Sequence, residues 1–116
     1  MAAGIYNFTC EQGVTFSRSF TLKDSTGDLM DLTDYVARMQ VRRDVDAAEP
    51  MIELTTENDG IVLGGEAGTV TLFISSDDTS EITHSGVYDI EIQEGPDGQV
   101  RRVLKGKFIL DPEVTR

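Results

Sequence analysis

The sequence has no tryptophan, one cysteine and one histidine among its 116 residues. Cys10 cannot form an internal disulfide, and no second cysteine or nearby histidine completes a metal site, so an ordinary thiol is expected there. No apolar run approaches the roughly 20 residues that span a bilayer, and the first residues lack the basic and apolar regions of a secretory signal. These absences argue against a membrane role and favour synthesis in a cytoplasm.

Positive charge is also scarce, because 10 Lys and Arg residues stand against 21 Asp and Glu residues, for a formal net charge of −11. Nucleic-acid affinity depends mainly on clustered Lys and Arg, and anionic lipid headgroups repel a protein of this sign. The composition therefore predicts neither nucleic acid nor a membrane as a partner.

The strongest pattern present is an alternation of apolar and polar residues, which is typical of strands with one buried face. Within residues 14–22 every second residue is Ser or Thr, while Val14, Phe16, Phe20 and Leu22 share the other face. Arg18 interrupts that apolar face. We interpret it as a residue of an edge strand or a bulge, where its side chain reaches water, rather than as a buried cation.

Further strands are predicted along most of the chain, and turn residues separate them. Alternation recurs at 37–42, 52–55, 69–74, 86–93 and 100–110. Gly-containing turns are predicted at 58–60, 64–66 and 95–98, the last of which joins two strands as a long hairpin. One short helical turn is predicted near residues 76–82, capped by Ser76 or Asp77.

Short strands at this spacing, with almost no helix, predict an all-β fold, namely an immunoglobulin-like antiparallel β-sandwich, and a small open barrel is the alternative. The cysteine pair and core tryptophan of antibody domains are absent, so the predicted similarity concerns architecture alone. We divide the chain into an extended N-terminal arm (1–12), the β-sandwich domain (13–111) and a C-terminal tail (112–116).

The residues provide little for catalysis or for binding a metal or cofactor. His84 lies in a polar connection, where an exposed loop histidine is favoured over a catalytic base. The acidic stretches at 24–28 and 77–78 could supply oxygen ligands to calcium, but they lack the spacing of a helical calcium loop, and turn chemistry is favoured. The glycine pair at 64–65 lacks the lysine and helix of a phosphate loop. We expect no enzymatic activity and no cofactor.

The basic residues are distributed unevenly and provide the candidate interface. They concentrate on two predicted strands, whereas the acidic residues crowd the loops. If those strands lie near each other, one sheet face carries a positive stripe suited to other copies or to an acidic partner. The alternative is a set of solvated residues that protect sheet edges. The stripe consists of Arg38, Arg42, Arg43, Arg101, Arg102, Lys105 and Lys107.

Several stretches together resemble a known group of proteins. They are GVTFSRSFTL at 13–22, DLTDYVARMQVR at 31–42, GTVTL at 68–72, GVYDIEI at 86–92 and LKGKF at 104–108, with PEVTR at 112–116. In this order they are similar to small tail-associated proteins of tailed bacteriophages, a group that includes the N-terminal module of baseplate upper proteins. The resemblance covers nearly the whole chain through strand and turn patterns.

The resemblance implies a virion component with an immunoglobulin-like fold, present in several copies, that joins a phage tail or baseplate to receptor-binding fibres or spikes. Its partners would be other phage structural proteins. Contacts are then expected from the basic stripe, from an exposed edge strand, or from Ile5, Tyr6 and Phe8 in the N-terminal arm. The alternatives are a capsid decoration or head-completion protein and, less favoured, a small carbohydrate-binding or hydrolytic module.

Overall fold

The structure is a computed structural model that describes residues 4–115. A five-residue helix, α1 (Ser76–Ser80), and a 3-10 turn at Gly65–Ala67 accompany the strands. The strands are β1 (Gly4–Ile5), β2 (Phe8–Glu11), β3 (Phe16–Thr21), β4 (Tyr35–Arg42), β5 (Ile52–Thr55), β6 (Ile61–Leu63), β7 (Thr69–Ile74), β8 (Gly86–Glu94) and β9 (Val100–Asp111).

The strands form two sheets that face each other. The larger sheet has the order β1-β9-β8-β4-β5, and β2 continues along the same side of β9 as β1. Both N-terminal strands run parallel to β9, whereas the other neighbours in this sheet are antiparallel. The smaller sheet has the antiparallel order β3-β7-β6. This is the arrangement of an immunoglobulin-like sandwich, and it confirms the predicted fold class.

The core lies between the sheets, where the alternating apolar residues of both inner faces meet. Along β4 and β8 every second side chain is buried, as the sequence pattern predicts. Burying one such side chain contributes about 1.5–3 kcal/mol. The most deeply buried side chains include Met39, Val41, Leu72, Ile74, Ile90, Ile92 and Phe108.

The segment predicted as a separate N-terminal arm is part of the sandwich where it is described. Phe8 lies opposite Phe108 and Cys10 lies opposite Leu110 in the parallel pairing of β2 with β9. Phe8 is only 4% exposed and Cys10 is fully buried. The sandwich therefore begins before residue 13, and the prediction that Phe8 contributes to a surface contact is wrong.

An aromatic cluster joins the two sheets at this end of the sandwich. The ring of Phe16 on β3 lies 5.8 Å from Phe8 and 5.6 Å from Phe108, both on the larger sheet. Phe8 also packs on Tyr6 and Tyr88, at 5.0 and 5.1 Å. The Tyr88 hydroxyl donates to the Tyr6 carbonyl at 2.5 Å, and burial raises the pKa of this hydroxyl above its usual range. The cluster thus packs the N-terminal strand onto both sheets.

The helix predicted near 76–82 is present as Ser76–Ser80, but its cap is Ser75, one residue before the predicted candidates. The Ser75 hydroxyl accepts a hydrogen bond from the Asp78 backbone N–H at 3.2 Å, which satisfies one free amide of the first turn. The fully buried Thr79 donates its hydroxyl proton to the backbone carbonyl of the segment before β3. The helix is thereby fixed to the smaller sheet.

The structure confirms that Arg18 lies on an edge strand, since β3 is the last strand of the smaller sheet. Its guanidinium lies 4.6 Å from the centre of the Phe16 ring and donates to the backbone carbonyls of Ser17 and Thr9. Arg18 therefore connects β3 to β2 while its charge stays exposed. Val14, predicted on the inner face, precedes β3 and is 47% exposed, so that prediction is wrong.

Replacing Phe8 by Ala tests whether the N-terminal strand belongs to the core. We expect Phe8→Ala to lower the free energy of unfolding by about 3–5 kcal/mol, because a buried aromatic ring is lost and leaves a cavity. In the control Ile5→Ala, at a residue 77% exposed, the change should stay within about 0.5 kcal/mol. Urea unfolding of the two variants measures both values, and an equally small effect of Phe8→Ala would contradict this assignment.

Candidate interaction surface

The two basic strands of the candidate interface are not neighbours, because β8 lies between β4 and β9. Arg38 on β4 faces Glu91 on β8, which in turn faces Arg102 on β9. Asp89, which is two residues before Glu91 on the same face of β8, lies opposite Lys105. The prediction of a continuous positive stripe is therefore wrong. Asp89 and Glu91 of β8, which we call the acidic column, lie between the two basic strands.

Ion pairs bind the acidic column to both basic strands. The Arg38 Nε lies 2.9 Å from Glu91 Oε1, and the Arg102 Nε lies 3.3 Å from Asp89 Oδ2. These side chains are between 32% and 50% exposed, so each pair contributes only about 0–1 kcal/mol to folding. Their main effect is to hold the long side chains in place and to neutralise two of the cations.

Among the described residues, three cations on this face have no carboxylate partner. Arg42 donates to the Ala47 carbonyl and to Gln40 Oε1, both at 2.8 Å. Lys105 and Lys107 are exposed, and neither forms an ion pair within residues 4–115. We call the outward surface of the larger sheet formed by Arg38, Arg42, Arg102, Lys105 and Lys107 the cationic face.

Half of the basic residues of the chain thus lie on one sheet face, five of the ten Lys and Arg residues. The carboxylates directly beside them are Asp89 and Glu91, together with Glu53 on β5, which accepts a hydrogen bond from Gln40 at 2.6 Å. Since the whole chain carries a formal charge of −11, this face differs in sign from the rest of the surface.

The remaining predicted basic residues lie elsewhere. A register shift between Ile90 and Glu91 places Leu104 opposite the first and Arg102 opposite the second, so Val103 is an extra residue on β9. Arg101 then lies opposite the buried Ile92, on the other side of the sheet from Arg102. Arg43 is exposed just beyond the end of β4. Neither Arg101 nor Arg43 belongs to the cationic face.

Two of the three predicted contact residues in the N-terminal segment are accessible. Ile5 is 77% exposed and Tyr6 is 56% exposed, in contrast to the buried Phe8. They lie at the outer side of β9, where they line an open groove with Phe20, Leu22 and Leu104. No simple sequence signal reveals this groove, because its walls come from opposite sheets.

The polar groups considered for chemistry have structural partners or lie isolated in loops. His84 is exposed in the connection before β8. Within residues 4–115, no group of three or more His, Cys, Asp or Glu residues is placed to hold a metal ion. Burial raises the pKa of the Cys10 thiol, and the nearby Arg18 only partly opposes that effect. In the described part of the chain, no helix has the length and apolar character needed to cross a membrane.

The acidic stretch at 24–28 uses its oxygens within its own turn. Asp24 Oδ1 accepts hydrogen bonds from the Thr26 hydroxyl at 2.6 Å and from the backbone amides of Thr26 and Asp28 at 2.9 and 3.1 Å. These bonds, above all the one from the Thr26 side chain, lower the pKa of the Asp24 carboxyl. Asp31 has the same relation to Thr33.

Comparison with known proteins yields a structural likeness and no family. No protein-family model matches the sequence, and no curated protein matches it. The fold is similar to the extracellular domain of the voltage-gated sodium channel beta4 subunit, which forms parallel homodimers and has a role in cell–cell adhesion. The TM-score is 0.51 at 10% identity, covering 98% of this chain and 97% of that one. At this identity the likeness shows the immunoglobulin-like fold alone.

Replacing Thr26 by Val tests whether the acidic turn is held by its own hydrogen bonds. The pKa of Asp24 should rise toward its ordinary value, because the strongest of its hydrogen bonds is lost while the amide bonds remain. The control Thr33→Val should raise the pKa of Asp31 and leave that of Asp24 unchanged. Carboxyl NMR titration measures both values.

The sign of the pH effect follows from the lowered pKa. Ionised Asp24 favours the folded turn above its unfolded-state pKa, and this contribution is lost as the pH falls through the folded-state pKa. An unchanged Asp24 titration in Thr26→Val would contradict this account of the turn.

Proposed function

We propose that this chain is a non-enzymatic structural protein of a bacteriophage virion, which serves as an adaptor in the tail or baseplate and attaches receptor-binding fibres or spikes. The sequence resemblance to small tail-associated phage proteins supports this role. The fold is compatible with it, since an immunoglobulin-like sandwich offers sheet faces and strand edges for recognition.

The cationic face is the observation that carries the proposal. Arg42, Lys105 and Lys107 remain positive after the ion pairs of Arg38 and Arg102 are formed. A surface of this sign on a chain of charge −11 favours contact with an acidic surface, because complementary potentials orient association and disfavour wrong partners. We infer that the cationic face contacts an acidic surface of a neighbouring virion subunit.

Several copies in each particle are part of the proposal. The beta4 subunit domain, whose fold is similar, forms homodimers, which illustrates that such a sandwich can associate with itself. A second copy of this chain is acidic outside the cationic face and could therefore also approach that face. The adaptor role requires contact with at least one other phage protein in addition to any contact between copies.

Locating the polypeptide in purified phage particles tests the role. We expect mass spectrometry to detect the chain in virions of the phage that encodes it, and a cryo-electron reconstruction to show its density between tail and fibres or spikes. Absence from the virion would overturn the proposal. Density on the capsid shell would contradict the adaptor role and support a decoration or head-completion protein instead.

Charge reversal tests the cationic face. Lys105→Glu with Lys107→Glu should reduce incorporation into particles at least tenfold, because two unpaired cations become carboxylates facing an acidic partner. The matched control Lys23→Glu with Arg101→Glu changes the net charge equally at two residues that do not belong to the cationic face, although they line a groove with Arg102 and Lys105. Circular dichroism should show that both variants remain folded. Equal incorporation of the two variants would contradict an interface at the cationic face.

A further inference from the structure

The outer edge of the smaller sheet is open along β3. Within residues 4–115, β7 is the one strand that pairs with the length of β3. The Leu22 N–H donates to the Gly68 carbonyl at 2.8 Å, which sets the phase of this antiparallel ladder. Alternate residues direct their backbone groups to opposite sides. The amide and carbonyl groups of Ser17, Ser19 and Thr21 therefore point away from β7, toward the open edge.

These three residues form a pattern that is symmetric about Ser19. In an antiparallel pairing of β3 with its copy, a two-fold axis at Ser19 places Ser19 opposite itself and Ser17 opposite the partner's Thr21. Each such pair can exchange two backbone hydrogen bonds, about six in all. The Ser17 carbonyl already accepts from the Arg18 guanidinium, but a carbonyl oxygen has a second lone pair.

In the described part of the chain, the outward side chains on the strands of the smaller sheet carry no charge, so this pairing brings no like charges together there. The outward side chains of β3 are Ser17, Ser19 and Thr21, and their neighbours on β7 are Phe73, Thr71 and Thr69. By contrast, β5 at an edge of the larger sheet carries Glu53, and β6 at the other edge of the smaller sheet has only three residues. In a chain of charge −11, β3 is therefore the best suited of these three edges to a second copy.

The inner side of the edge also fits this arrangement. The same register places Arg18 opposite the partner's Phe20, a pair in which a guanidinium can lie on an aromatic ring. The two Arg18 residues lie diagonally, about 7–8 Å apart, and each is already bonded to the Thr9 carbonyl of its own chain. A strand laid along β3 would also pass beside the groove lined by Ile5, Phe20 and Leu104.

We propose that two copies of this chain associate through antiparallel pairing of their β3 strands about a two-fold axis at Ser19. The two smaller sheets then become one continuous sheet with the order β6-β7-β3-β3-β7-β6. The occupant of the edge is a second copy because the edge is complementary to itself in register, hydrogen bonding and charge. The pairing is independent of the adaptor role and can occur whether or not the chain belongs to a virion.

A proline at the centre of the edge tests the pairing. Sedimentation equilibrium of the full chain should show a monomer–dimer equilibrium, and Ser19→Pro should weaken the dimer at least tenfold, because the Ser19 N–H points to the open edge. Ser19→Ala is the matched control, since it also loses the 2.9 Å contact of Ser19 with Thr71 but keeps the N–H. A wild-type protein that stays monomeric at high concentration overturns the proposal, as does an unchanged dimer in Ser19→Pro.

Charge pairs across the axis test the register and do not require proline. Ser17→Glu with Thr21→Glu places like charges opposite each other twice, and Ser17→Lys with Thr21→Lys does the same with the other sign. Both variants should be at least tenfold weaker dimers, although they change the net charge in opposite directions. Ser17→Lys with Thr21→Glu places opposite charges together and should dimerise as well as the wild type or better. Equal dimerisation of the three variants would overturn the register.

Discussion

The packing of Phe16 against Phe8 and Phe108 is the contact on which the rest of the structure depends. Phe16 belongs to the smaller sheet and the other two belong to the larger one, so these rings join the sheets in a chain that lacks the disulfide and the core tryptophan of antibody domains. Phe8 can take part only because β2 pairs with β9. The same pairing covers one side of β9, so that β1 and β2 form this edge of the larger sheet.

The fold class could be predicted from the sequence because alternation is a local property. Ala37, Met39 and Val41 alternate with polar residues, and the structure buries all three. The N-terminal strand was missed for the opposite reason. Phe8 and Cys10 lie on a four-residue strand whose partner, β9, is at the far end of the chain. A short alternating segment cannot show that a distant strand will cover it.

The candidate interface shows the same limit at the level of single side chains. The alternation of apolar and polar residues correctly predicts that Arg38, Arg42, Lys105 and Lys107 point outward. Alternation contains no information on strand order, so it cannot predict that the acidic column on β8 lies between the two basic strands. It also could not show the extra residue in β9, which places Arg102 instead of Arg101 on the same side as Lys105 and Lys107. The sheet face to which a side chain points can be predicted from sequence more readily than the strands that lie beside it.

The two surfaces proposed for association lie on different sheets, and this affects what a pair of copies could do. A two-fold axis between antiparallel strands of one sheet is perpendicular to that sheet, so both copies of the smaller sheet would expose their uncharged faces in one direction. The larger sheets would then place both cationic faces together on the opposite side. A partner with two acidic sites could engage both, and the second contact would form at high effective concentration. Because pairing through β3 leaves Lys105 and Lys107 exposed in both copies, two weak polar contacts would attach the pair more strongly than one contact alone.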